Sequence, residues 1–174
     1  MTCPTHALLG VSTLWLLAPF PPETVGYDMG TLAVCAALGA LLPDLDDSES
    51  KIKHLKIPGT SLKPFLLPAQ VVHRTDQHRG LLHSIWGLGM AALCAMPFMF
   101  WVGWAPIVAL LLGYASHLLG DSATKSGIRL WYPKSERFHL LPKKLRITTG
   151  SLAEDALLAP LGAVVMTLLL HLGG

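Results

Sequence analysis

The chain has 174 residues, 52% of them apolar and only 14% charged, where an ordinary soluble domain carries about 25% charge. That length suits one domain rather than two, and the charge deficit argues for lipid around much of its surface. A formal charge of +2 says little as a total, and no nucleic-acid partner is expected.

Cys3, Cys35 and Cys94 form no CxxC pair, which excludes a zinc knuckle or a disulfide framework and reads as buried reduced thiols. The N-terminus lacks the basic region and small-residue cleavage site of a secretory signal, so the first apolar run is expected to persist. Five apolar stretches follow in order: residues 7–20, 30–42, 81–101, 106–119 and 156–172. The third and fifth approach the roughly 20 residues that cross a hydrocarbon core. The others are about 13 to 15 long and can span in a bundle whose polar ends face inward or thin the bilayer.

All thirteen Lys and Arg lie in two of the connections. Six, from Lys51 to Arg79, stand between the second and third stretches, and seven, from Lys125 to Arg146, between the fourth and fifth. Residues 21–29 and 102–105 carry none. Such alternation is what five crossings predict when basic loops stay inside. The expected architecture is an all-α integral membrane bundle of about five helices, one domain over 1–174. Its polar cytoplasmic loops fall at 43–80 and 125–151, its N-terminus is cytoplasmic and its C-terminus outside.

That topology gathers the titratable residues at one end. His6 opens the first helix, and Asp44, Asp46 and Asp47 follow the second, after Pro43. Pro43 disfavours a helical Leu42 and leaves the carboxylates on a turn. His78 and His83 bracket the start of the third helix; five apart, about 140° around a helix, they cannot share a site on one regular helix. His117 and Asp121, at i and i+4, share a face of the fourth helix and can address one ion. Glu154 reads first as a cap: Ser151-Leu152-Ala153-Glu154 is a capping box in which the carboxylate reaches back to the Ser151 amide. Each remaining residue also has a plainer role, His117 as a hydrogen-bonded core histidine and the Asp run as a solvated helix end.

Energetics favours a metal. One Asp at a helix centre costs about 2.5–3.5 kcal/mol on insertion scales, less near the interface. A structural zinc ion returns about 10–16 kcal/mol. Mixed His and carboxylate ligands suit one or two divalent ions, Zn²⁺ first, with Mn²⁺ or Fe²⁺ as alternatives.

Three motifs, Leu42-Pro43-Asp44-Leu45-Asp46, His78-Arg79-Gly80-Leu81-Leu82-His83-Ser84 and His117-Leu118-Leu119-Gly120-Asp121, resemble in their order the YdjM-like family. These are bacterial inner-membrane proteins described as metal-dependent hydrolases, and the likeness runs from His6 to about Asp155. The family pattern commonly has Leu-Asp before a Thr and a Gly-rich turn; here Gly120 precedes Asp121, with Thr124 and Gly127 following. The resemblance implies Asp44, Asp46, His83, His117 and Asp121 as metal ligands, with His78 and Arg79 in the same site. It also implies a bacterial inner-membrane location and a distant similarity to zinc-dependent phospholipase C.

The expected activity is hydrolysis of a phosphoester in a lipid or other membrane-associated substrate. His6 completes the candidate metal set. Asp47 is the candidate general base and Arg79 the candidate phosphate clamp. Residues 61–73 could lie in the interface as a lid, and basic loop residues would attract anionic headgroups. The rivals are a metal- or proton-coupled transporter or sensor, and a non-enzymatic protein with a structural metal. Against a transporter, the outer halves of the helices carry almost no polar residue except His171.

Overall fold

The computed structural model describes residues 1–17, 19, 26–46 and 80–172. Among them the chain is helical, without strands: α1 Cys3–Ser12, α2 Met29–Leu41, α3 Ile85–Ala95, α4 Met99–Val102, α5 Trp104–Ser122 and α6 Leu152–Leu172. A 3₁₀ turn, Met96–Phe98, joins α3 to α4 where Pro97 removes a backbone donor, so the two form one rod. Five rods therefore stand among the described residues, where about five were expected.

Local chemistry sets the boundaries. Asp28 caps α2, accepting the Thr31 amide at 2.9 Å and its hydroxyl at 2.6 Å. Ser84 caps α3. Gly103, at φ +65°, makes the break between α4 and α5 that a side chain would resist.

Some expectations shift. The first helix is shorter than residues 7–20 and tightens into 3₁₀ geometry at Thr13–Leu16. Pro43 does not expel Leu42 from the helical region: Leu42 stays at φ −59°, ψ −41°, and the chain tightens into a 3₁₀ turn, Leu42–Asp46. The thiols are not all buried. Cys3 and Cys35 are half-buried, and Cys94 is exposed.

The core lies among α1, α2, α5 and α6, where Val11, Leu14, Leu32, Ala36, Ala105, Ala109 and Leu168 pack together. Helices α2 and α5 approach at small residues. A Cβ on Gly39 would stand 1.9 Å from the Leu110 carbonyl oxygen, and one on Gly113 would stand 1.9 Å from that of Ala36. Gly10 of α1 is nearly as close to α2, with its Cβ position 2.7 Å from Ala40 Cβ. Packing through small residues is the usual means of helix association where lipid removes the hydrophobic drive.

The stretch Ile85–Val102, mean hydropathy 1.7, is the one among the described residues long and apolar enough to cross a membrane. Only 6% of it is buried, so it is not the core helix of a soluble fold. Phe100 is 92% and Trp101 77% exposed, an apolar surface that water does not favour.

Because the obstacle at Gly113 is backbone, which cannot rotate away, Gly113→Val is expected to cost about 3 kcal/mol, the upper end for overpacking. Gly162→Ala, with nothing within 4 Å, is expected to be neutral or slightly stabilising. Unfolding midpoints of the detergent-solubilised protein measure both.

Candidate metal centre

Four elements deliver five polar side chains to one end of the bundle. Helix α1 carries His6, the turn after α2 carries Asp44, the 3₁₀ turn Leu81–His83 carries His83, and α5 carries His117 and Asp121. The His83 turn is firmly held. Tyr114 Oη donates to the Leu82 carbonyl at 2.6 Å, Ser84 Oγ donates to Leu81 at 2.6 Å, and the Ile85 amide donates to Leu130 at 3.1 Å. Gly87 leaves room for this fold-back, since its Cβ would meet the Leu81 oxygen and Tyr114 Oη at 2.7 Å each.

The donor atoms converge. His83 Nε2 and His117 Nε2 face each other at 3.2 Å. Asp44 Oδ1 stands 3.4 Å from the first and 3.6 Å from the second, and Asp121 Oδ2 stands 3.9 Å from each. Donors bound tetrahedrally to one zinc ion at about 2.0–2.1 Å stand about 3.3–3.4 Å apart, so the His83, His117 and Asp44 atoms fit a shared cation, with Asp121 farther out. Among the described residues, ligand atoms lie mutually close in two groups, His6–Asp44–His117 and His83–His117–Asp121. Two carboxylates also match the charge of one divalent ion.

The orientation of His117 supports the same reading. Its Nδ1–H donates to the Ala40 carbonyl at 2.7 Å, which fixes the tautomer and presents the Nε2 lone pair to the cluster. His6 stacks on this ring, centroids 3.7 Å apart and planes 15° apart, with Nε2 3.2 Å from Asp121 Oδ1. The buried His6 Nδ1 finds no hydrogen-bond partner among the described residues. The Met1 α-amino group also lies against Asp121 Oδ1.

Access is uneven. His6, His83, His117 and Asp121 are no more than 2% exposed, whereas Asp44, at 25%, is the most accessible of the five. Burial raises the pKa of Asp44, but the His83 hydrogen bond and neighbouring imidazole charge outweigh it and hold the carboxyl at about 2, in its ligating form.

Of the expected site residues, the fold brings together Asp44, His83, His117, Asp121 and His6. Asp47, His78 and Arg79 lie outside the described residues, as does the side chain of Asp46. Glu154 stands apart from the cluster and does not close the expected box. Its carboxylate accepts the Gly150 amide at 2.8 Å and the Thr2 amide, while the Ser151 amide donates to the Thr148 carbonyl. It therefore ties the start of α6 to the start of α1. The Ala40 carbonyl was not identifiable in the sequence, because a backbone acceptor carries no residue-type signal.

The profile of a family described as YdjM inner membrane protein matches residues 1–172. The Bacillus subtilis protein YvsG is 31% identical over 167 residues, covering 92% of this chain and 89% of its own length. The inner membrane proteins YdjM of Escherichia coli and of Shigella flexneri are each 30% identical over 147 residues, covering 80% of this chain and 69% of theirs. No solved structure matches the chain.

Elemental analysis of purified protein separates ligand from tether. His117→Ala is expected to lose bound metal at least about tenfold. Glu154→Ala is expected to keep the metal and lower the unfolding midpoint, because two amides lose their acceptor.

Proposed function

This chain belongs to the YdjM inner membrane protein family, and from that membership we propose that it is a membrane-bound, metal-dependent hydrolase. Its substrate is a phosphoester of a lipid or other membrane-associated molecule. The observation that carries the reading is the meeting of two imidazole Nε2 atoms with two carboxylates in a cluster that is buried except at Asp44. A purely structural ion needs no opening, whereas a catalytic one keeps a position for water or substrate.

His83, His117, Asp44 and Asp121 would hold the ion, with His6 packed on His117 as a further donor. A divalent ion held there, Zn²⁺ in first place, would supply Lewis-acid polarisation of a water and a phosphoryl oxygen. The chain's own groups do the rest. Ala40 keeps the His117 ring aimed inward, and the partly exposed edge of Asp44 marks the side from which a phosphate enters. Asp47 takes a proton from the attacking water as its oxygen bonds to phosphorus, and that proton passes to the departing alcohol. Arg79 holds a non-bridging phosphate oxygen. The wider likeness to zinc-dependent phospholipase C belongs to this proposal.

The site faces the cytoplasm in a bundle that crosses the inner membrane several times, N-terminus inside. The arrangement of basic residues supports this: Lys125, Lys134, Arg137, Lys143 and Lys144 all sit exposed in the connection between α5 and α6. Reporter fusions after Lys144 are expected to be active only as cytoplasmic reporters, and fusions at Gly103 only as external ones. The reverse pattern would overturn the topology.

Hydrolysis is tested with purified protein on phosphatidylglycerol and phosphatidic acid vesicles, with products read by mass spectrometry. Turnover is expected with metal, to vanish with chelator, and to fall at least about a hundredfold in Asp44→Asn and Asp47→Asn. A metal-loaded protein that releases no phosphoester product from any membrane lipid would replace the enzyme with a structural metal site.

A further inference from the structure

Between the turn that carries Asp44 and Tyr27, α2, α3, α4 and α5 line an open groove of about 850 Å³. Its wall runs along α2 from Thr31 to Leu42, eleven residues or about 16 Å. That is nearly the whole length of α2, so the groove follows this rod from its Asp28 cap to the turn that carries Asp44. At one end stands Tyr27, and at the other Leu42, two residues from Asp44. Its outer wall is the membrane-crossing rod, including Cys94, Ala95 and Phe98.

The lining offers water almost nothing. Thr31 is polar, but its hydroxyl already donates to Asp28 at 2.6 Å. A space of this size without polar partners is not a water chamber or an ion path. A flexible apolar chain suits both the width and the length.

We propose that this groove holds one acyl chain of a phospholipid, seated so that its phosphate lies at the Leu42 end beside Asp44. The inference rests on the hydrolase reading for the meaning of the phosphate position, but the seating of the chain stands independently. Exposed lysines of the connection after α5 supply charge complementary to an anionic headgroup. The occupant is thereby a membrane lipid held for reaction rather than passing solvent.

The full chain is reconstituted in phosphatidylethanolamine–phosphatidylglycerol vesicles doped with phosphatidylglycerol carrying a photoreactive diazirine at the end of one chain. After irradiation, adducts are mapped by peptide mass spectrometry. They are expected to concentrate on Tyr27, Cys94 and Phe98 over the exposed Phe100 and Trp101. Ala95→Phe, which fills the groove, is expected to lower groove adducts about tenfold, the equivalent of about two methylenes lost from apolar contact. Adducts on Phe100 and Trp101 would stay unchanged, and circular dichroism and elution volume would report intact folding.

Adducts spread evenly over the rod, or indifferent to Ala95→Phe, would overturn the proposal. Cross-linking of Cys94 between two copies, with the groove free of adduct, would overturn it in favour of self-association. The same vesicles report turnover separately. Groove adducts without phosphoester product would sustain the acyl site and remove the hydrolase, whereas product without groove adducts would do the opposite.

Discussion

Everything at the polar end depends on how closely α2 and α5 approach one another. Gly39 and Gly113 each face a carbonyl of the opposite helix at a distance no Cβ could share. With those backbones in contact, the last turn of α2 lies beside the third turn from the end of α5. The Ala40 carbonyl, near the helix end where carbonyls lack intrahelical donors, then falls within reach of His117. A helix separation larger by one methyl group would lose that hydrogen bond and swing the ring. Small residues that ligate nothing themselves thus determine where the imidazole points.

The cluster is also a solution to an electrostatic problem. Asp44 and Asp121 carry negative charge at the end of an apolar bundle, one a quarter exposed and the other sealed. Among protein groups, Asp121 meets His6 and the Met1 amine on one oxygen and the two facing imidazoles with the other. A divalent ion would satisfy both carboxylates and leave the imidazoles neutral, which buried histidines prefer. Stability and chemistry then draw on one set of contacts, and removal of one member leaves its partners exposed to the same burial cost.

Much of this was legible before the fold. His117 and Asp121 share a helical face because of their spacing, and Asp44 follows the end of the apolar run of α2. The alternation of basic loops brings His6 and His83 to the same end. What sequence could not convey depends on tertiary distances. The stacking of His6 on His117 depends on how α1 leans on α5. The capping-box pattern correctly placed Glu154 at a helix start, but tertiary contact redirected its carboxylate to Thr2 and Gly150. The rule that proline displaces its predecessor from helical geometry yielded at Leu42, where the chain could tighten into a 3₁₀ turn instead. Small residues at Gly10, Gly39 and Gly113 were visible as composition, but their pairing required knowing which helices touch.

The cluster draws on both the beginning and the later part of the chain: His6 and Asp44 precede His83, His117 and Asp121 by up to 115 residues. During synthesis His6 and Asp44 therefore leave the ribosome before either α5 donor has been made. Glu154, which ties the start of α6 to Thr2, is made later still. A chain truncated before His117 keeps His6, Asp44 and His83 but lacks both α5 donors, so the cluster is a property of the nearly complete chain.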